Sequence, residues 1–529
     1  MNRRTLLSGA LLGVPFARSL LGETREPAPI GRSQAALELR EAVAVAQSGR
    51  PTRTSVANGD ETGIADYVAC FTKGLPKAQY GQVVPTAYDA LLSAVQSGRP
   101  ADFERIPKGA GRKLSNPQAA FAFHLEGADP HQFYLPAAPS ISSSELAKEA
   151  SELYWQALCR DVLFEDYPAS PLVARAAEDL GRTSETVFRG NIQASMAGPY
   201  VSQFLLKPVP WGTTQFEQRS QVPIRSSDFV TTVSEWTQIQ AGIPPWRETA
   251  FDPVPRYIRC GRDLAELVHY DFSYQFFLTA ALILLDTGPS TVLNANPFKS
   301  VSNPYRYSDV EEGFVTFGQA EITDWLARVT SAALKAAWCQ KWMVHRRIRP
   351  EELGGLIQLT KTHLRSHPIS PALLTSPAVA TVSSKTGTYL LPQAYPEGCP
   401  IHPSYPAGHA TVSGACSIVL KAFFNEKMLL PGCVMPNREG TSLLPLPDYA
   451  PTVGAEIDKL AFNIALARNW AGIHFRSDDE AGLRLGEDVA ISILQDLIRT
   501  YTETFPGFYF TRIDGTRIHI TPKGEVIAG

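Results

Sequence analysis

The chain has 529 residues, 44% of them hydrophobic and 19% charged, with a formal net charge of −3. That length exceeds what a single hydrophobic core normally serves, so two or three subdomains are expected. The near-neutral balance, with no long basic run, excludes nucleic acid as a natural partner, because a phosphate backbone calls for a basic stripe.

The N-terminus carries Arg3-Arg4 ahead of a short apolar run that Arg18 interrupts. It reads as a Tat-like export signal, which predicts a periplasmic or extracellular protein. The other reading is a helical or disordered arm on a soluble cytoplasmic protein, and Arg18 favours it. Residues 22–34 read as a linker, which closes a leader region 1–34. Apolar spacing then predicts helices over 35–47, 144–162 and 172–179, whereas 58–139 is broken by Gly and Pro into short elements. The Pro- and Trp-rich stretch 205–258 reads as a long ordered loop.

From 261 onward the chain is more strongly helical, with expected helices over 263–285, 321–347, 409–424, 455–468 and 487–501. Residues 366–401, rich in Pro, Ser, Thr and Gly, read as an active-site loop. Phe508 to Thr521 alternates around Asp514-Gly515, a hairpin signal. The expected fold is mainly α: an N-terminal helical and loop region (35–260), a helical bundle (261–505) and a small C-terminal β-hairpin tail (506–529). No segment outside the leader reaches the roughly 18 apolar residues of a membrane span. Seven cysteines lie far apart without a CxxC pair, which gives no support to a structural zinc site and leaves disulfides open.

Three stretches carry chemistry. In Lys341-Trp-Met-Val-His-Arg-Arg-Ile-Arg349-Pro350, the helix is expected to end at Arg349 because Pro350 disfavours helical geometry there. Lys341 and Arg349 would then lie roughly 80° apart around it and about 12 Å along it, able to converge on one anion beyond its end. Taken alone, the pair and its neighbours Arg346 and Arg347 read more often as a solvated basic face. Pro406-Ala407-Gly408-His409 opens an apolar helix, whose free N–H groups suit an anion. His409 there is either a proton donor and acceptor or a cap. In Arg468-Asn-Trp-Ala-Gly472-Ile-His474-Phe-Arg-Ser-Asp478, a turn at Gly472 would point His474 back to the same place. Asp478 would take the other ring N–H, unless Arg468, Asp478 and Asp479 form a surface salt-bridge cluster.

The conjunction K-x7-RP, P-x-GH and R-x5-H-x3-D resembles the vanadium-dependent haloperoxidases, and more distantly the PAP2-type acid phosphatases that share their site. Asn58-Gly-Asp-Glu61, Leu125-Glu-Gly-Ala-Asp-Pro130, Phe188-Arg-Gly190, Gly198-Pro-Tyr-Val-Ser-Gln-Phe204 and His402-Pro-Ser-Tyr405 extend the likeness along nearly the whole chain. The Lys341–Arg349 interval and His402 look like the algal and cyanobacterial bromoperoxidase branch.

The resemblance implies vanadate as cofactor, bound axially by His474 and charge-compensated by Lys341, Arg349, Arg468 and the Gly408 N–H. It also implies His409 as acid/base, Lys341 as a polarising cation, His402 near the peroxide and Asp478 behind His474. Trp338 would stand on the halide side, or equally in the core. Hydrogen peroxide and bromide or iodide are the implied substrates, and a homo-oligomer the implied assembly. The alternative is an acid phosphatase using the same oxyanion site. One departure stands out: the family usually has Ser where this chain has Ala407.

Overall fold

The computed structural model describes residues 29–192, 197–286, 296 and 298–529. The export-signal segment lies outside them. The described residues fall into two units, 29–48 and 49–529. In the first, a single helix, α1 (Pro29–Ser48), contains the expected 35–47 helix and extends into what reads as linker. Pro29 explains the early start, since the first turn needs no N–H from that position.

The second unit is built from α2 (Pro85–Ser97), α3 (Ser144–Cys159), α4 (Pro171–Asp179), α5 (Val233–Gln240), α6 (Gly261–Leu267), α7 (Gln275–Leu285), α8 (Gln319–Cys339), α9 (Pro350–Lys361), α10 (Pro377–Thr386), α11 (Gly408–Phe423), α12 (Val453–Trp470) and α13 (Arg476–Leu497), with single turns between them. Hairpins β1–β2 (Val209–Trp211, Thr214–Phe216) and β3–β4 (Val434–Pro436, Leu443–Pro445) sit in its loops. The expected C-terminal hairpin, β5 (Phe508–Thr511) with β6 (Arg517–Ile520), gains a third antiparallel strand, β7 (Val526–Ala528). The mainly helical class is as expected, and no helix among the described residues is long and apolar enough to cross a membrane.

Several elements differ from the sequence reading. The 205–258 stretch holds β1–β2 and α5, whose start is a Thr232-x-x-Glu235 cap: the Thr232 hydroxyl accepts from the Glu235 N–H at 3.2 Å. The 366–401 stretch is partly helical, over Pro371–Leu374 and α10. The expected 263–285 helix is two helices, because residues 268–274 leave the helical path. The final bundle helix starts at Arg476 rather than 487, with Asp478 and Asp479 in its first turn, where carboxylates suit the positive helix end. All seven cysteines are buried and free.

Helix α11 is the centre of the core, buried at every position except His409. Its packing on α13 is glycine-mediated. A Cβ on Gly486 would stand 1.9 Å from the Thr411 carbonyl oxygen, and one on Gly414 would stand 2.0 Å from that of Leu483. Backbone meets backbone there, so neither neighbour can rotate aside. Gly486→Ala is therefore expected to lower stability by about 1–3 kcal/mol through overpacking. Thermal denaturation checks this, and an unchanged midpoint would show that the two helices are not locked at that spacing. The close approach sets the start of α11 beside the start of α13, which is where the polar residues collect.

Candidate active site

Lys341 lies just past α8, in a π-helical turn over Gln340–His345 that Arg346 ends with a left-handed backbone (φ 36°). The expected continuous helix to Arg347 is therefore cut short, and Arg349 is not on it. Arg349 instead precedes Pro350 at the start of α9, and its backbone N–H donates to Glu352 at 3.1 Å. The two cations reach one place because the chain turns between them. Arg346 and Arg347 are not a solvated face either. The Arg346 guanidinium makes two bonds to Glu61, at 2.7 and 2.6 Å. Arg347 is buried between Asp478 (2.6 Å) and Glu149 (3.1 Å).

The 402–409 segment is tied from several sides. Lys341 Nζ donates to the Pro403 and Ser404 carbonyls, both at 2.7 Å. Arg349 Nε donates to the His402 carbonyl at 2.9 Å. The Ser404 hydroxyl donates to Asp478, and the Ala407 N–H donates to the Asp478 carbonyl at 2.9 Å. Helix α11 then begins at Gly408 without a side-chain cap, which leaves its first N–H groups facing the site. A Cβ on Gly408 would make only ordinary contact, 3.6 Å from Leu334 and Trp338. Trp338 is thus a wall over the helix start. Its ring also lies 4.9 Å from that of His402, and its indole N–H is held by the Ser115 carbonyl at 3.1 Å.

Gly472, with φ 83°, turns the chain after α12 as expected. His474 Nδ1 then meets Asp478 Oδ2 at 2.9 Å, and its Nε2 meets Arg349 Nη1 at 2.9 Å. A guanidinium can only donate, so Nε2 holds the lone pair and Nδ1 the proton. Asp478 is fully buried and accepts from Arg347, Ser404, His474 and the Phe475 N–H. Burial alone would raise its pKa, but Arg347, His474 and Ser404 outweigh it and hold the carboxylate well below its usual range. The surface-cluster reading of Arg468, Asp478 and Asp479 is overturned, since all three are buried.

Charge is the defining property of this place. Lys341 and Arg349 are fully buried and Arg468 is 6% exposed, yet none of the three is in a salt bridge among the described residues. Lys341 bonds only to carbonyls; Arg349 bonds to carbonyls and imidazoles. Arg468 donates through Nη1 to the Val268 carbonyl at 2.6 Å, while its buried Nε has no partner. Burial, then the Arg349 charge, pushes Lys341 well below the usual amine range. Burial lowers Arg349 to about 10. Burial and Arg349 likewise hold His402 and His474 well below the usual imidazole value. Buried cations without counter-ions are costly. This donor set fits a compact, multiply charged oxyanion such as vanadate, with a neutral imidazole lone pair on one side of it.

Sequence reasoning missed Asp271. His409, with 27% of its side chain accessible, meets Asp271 Oδ1 through Nε2 at 3.0 Å. The carboxylate accepts, so His409 Nε2 carries the proton and Nδ1 is left to exchange one. Burial and then Arg468 lower the His409 pKa, and Asp271 opposes them. Asp271 reaches His409 only because α6 and α7 are separate, and the polar His269-Tyr-Asp271-Phe-Ser inside an apolar run was the available signal. Glu352 and Ser404, which fix Arg349 and Asp478, were also missed. His402 joins the site through Nδ1, 3.0 Å from Arg349 Nη2.

Residues 371–503 match the family model of the VCPO second helical-bundle domain. The chain is 30% identical to the vanadium-dependent bromoperoxidase of Corallina pilulifera, covering 92% of this chain and 98% of that one. It is 32% identical to the vanadium-dependent bromoperoxidase of Ascophyllum nodosum, covering 88% of each. The solved structure of the second, homohexameric vanadate-dependent bromoperoxidase of Ascophyllum nodosum superposes with a TM-score of 0.89 at 28% identity. That alignment covers all of this chain and 96% of the other. With a likeness of this extent joined to a buried oxyanion cradle, the chain belongs to the vanadium-dependent haloperoxidases and is a halide peroxidase.

Proposed function

We propose that this enzyme oxidises bromide or iodide with hydrogen peroxide, halide plus peroxide plus one proton giving hypohalous acid and water. The observation that carries the reading is the set of three buried cations, without carboxylate partners among the described residues, beside the acceptor nitrogen of His474. Lys341, Arg349, Arg468 and the Gly408 N–H would hold vanadate, with His474 Nε2 as its ligand. Bound vanadate supplies a Lewis-acidic centre that activates peroxide without changing oxidation state.

The protein's own part is fixed positive charge and proton handling. His409 Nδ1 would take a proton from peroxide and return one as water forms, while Asp271 holds Nε2–H in place. Asp478 keeps the His474 proton on Nδ1. Trp338 and His402 form the side from which halide approaches. His402→Ala removes an acceptor from the Arg349 guanidinium. It is expected to lower kcat/KM for bromide about tenfold, in line with loss of a charge-assisted hydrogen bond, and to change the bromide-to-chloride ratio. Steady-state kinetics with both halides check this, and an unaltered ratio removes His402 from halide selection.

A homo-oligomer is supported by the homohexameric relative and by exposed apolar side chains such as Leu125, Tyr307, Val310 and Phe314. Reconstitution with orthovanadate and peroxide, with bromide, iodide and chloride in parallel, tests the whole reading. Vanadate-dependent bromide and iodide oxidation is expected. A protein inert at saturating vanadate would refute it, and hydrolysis of a phosphate monoester without vanadate would point to phosphatase chemistry instead.

A further inference from the structure

Outside the anion cradle, one cluster of titratable side chains lies against Arg468 through Tyr395. His269 lies in the 268–274 break, with 4% of its side chain exposed. Its Nε2 meets Glu397 Oε1 at 2.8 Å and its Nδ1 meets Glu266 Oε1 at 3.3 Å. Its ring stacks on Tyr395, 3.8 Å between centroids and 3° from parallel, and Tyr270 tilts against it at 4.0 Å. A carboxylate oxygen accepts, so these two contacts call for an N–H on each ring nitrogen. Burial alone would lower its pKa, but Glu266 and Glu397 outweigh burial and raise it. Arg112 acts on Glu397 from outside the cluster.

The break that His269 anchors carries two groups of the site. Val268, one residue before, gives its carbonyl to Arg468; Asp271, two residues after, holds His409. Tyr395 connects the same elements from the other side. Its hydroxyl donates to the Ala265 carbonyl at 2.6 Å, and its ring lies 5.6 Å from the Arg468 guanidinium carbon. Neither helix nor strand holds the backbone from 268 to 274; turn bonds from the Val268 and His269 N–H groups to the Ala265 and Glu266 carbonyls, at 3.3 and 3.1 Å, tie its start, and side-chain contacts carry the rest.

We propose that His269 is a positioning residue for the halide peroxidase reaction: clamped by Glu266 and Glu397 on Tyr395, it fixes Val268 under Arg468 and Asp271 under His409. The proposal rests on the site assigned above. A purely structural stack would tolerate loss of the two N–H groups as long as an aromatic ring remained. A clamp would not.

His269→Phe keeps the stack and removes both N–H groups. Two readouts apply: calorimetric titration of the apoprotein with orthovanadate, and the pH profile of bromide oxidation. Asp271→Asn withdraws the charge that favours a proton on His409, so the limb of the profile governed by His409 moves to lower pH. His269→Phe is expected to move that limb in the same direction and to weaken vanadate binding about tenfold, the lower end for loss of outer-shell support. Combined with Asp271→Asn it should add no further movement of the limb.

Parental affinity and an unmoved limb in folded His269→Phe overturn the clamp, as does an additive shift in the double variant. Glu397→Gln breaks the clamp from its other end and is held to the same readouts if His269→Phe does not fold. A change in Asp271→Asn with neither readout changed in His269→Phe defeats this proposal alone. An Asp271→Asn protein with parental values in both readouts defeats the site assignment and this proposal with it.

Discussion

Asp478→Asn is expected to weaken orthovanadate binding by about 10- to 100-fold, the range for outer-shell partners of a metal ligand, and to lower the melting temperature as well. The reason is a count of donors. Asp478 Oδ1 accepts from Arg347, while Oδ2 accepts from Ser404, His474 Nδ1 and the Phe475 N–H. Every contact to the carboxylate is a donor. An asparagine has one acceptor oxygen, so its NH2 must face either the Arg347 guanidinium or three N–H and O–H groups at once. In the second arrangement the His474 Nδ1–H loses its acceptor, and only the Arg349 guanidinium at Nε2 still favours that tautomer. Arg347 would retain only Glu149 as a counter-ion, and breaking a buried pair from one side costs about 3–5 kcal/mol.

The loss has a signature in pH. A carboxyl whose native pKa is depressed contributes stability above its unfolded value, near 4, and loses it as pH falls through the native value. The stability gap between parent and Asp478→Asn should therefore be widest near neutrality and narrow in acid. Vanadate titration and melts across pH check both parts. Parental affinity in the folded variant would mean that His474 does not depend on Asp478.

Much of this site was legible because its spacing is local. Gly472 turning His474 toward Asp478 involves seven consecutive residues, 472–478, and the Pro350 boundary before α9 follows from one residue. What sequence hid was tertiary. Residues 263–285 are apolar enough to read as one helix, and the contacts that meet the break, Arg468 on the Val268 carbonyl, His409 on Asp271 and Glu397 on His269, come from distant parts of the chain. Arg346 and Arg347 read as solvent-facing because their partners, Glu61 and Glu149, lie far away in the chain. The π turn after α8 has no local sequence signal either, yet it is what aims Lys341 at the 403–404 carbonyls. Local motifs marked the cradle; distant carboxylates decide which arginines remain available to it.

Ala407→Ser is expected to tighten orthovanadate binding about ten- to a hundredfold. Ala407 precedes the first residue of α11, is fully buried, and offers no side-chain cap. A serine there can accept an N–H of the first helical turn through its oxygen lone pair, a cap worth about 1 kcal/mol. Its own O–H remains to be placed. Without an anion that hydroxyl hydrogen is buried at a cost similar to the gain from the cap, so the apoprotein should melt close to the parent. With vanadate bound the hydroxyl has a charged acceptor, worth about 1.5–3 kcal/mol. The stabilisation should thus appear only in the loaded protein, as a larger vanadate-induced rise in melting temperature. Calorimetric titration reads the affinity directly. Inorganic phosphate, of similar shape and charge, should also bind more tightly, because the added donor recognises an oxygen and not the metal. A folded Ala407→Ser protein that binds either anion no better than the parent would place the oxyanion away from the start of α11, and Gly408 and His409 would lose their assigned roles with it.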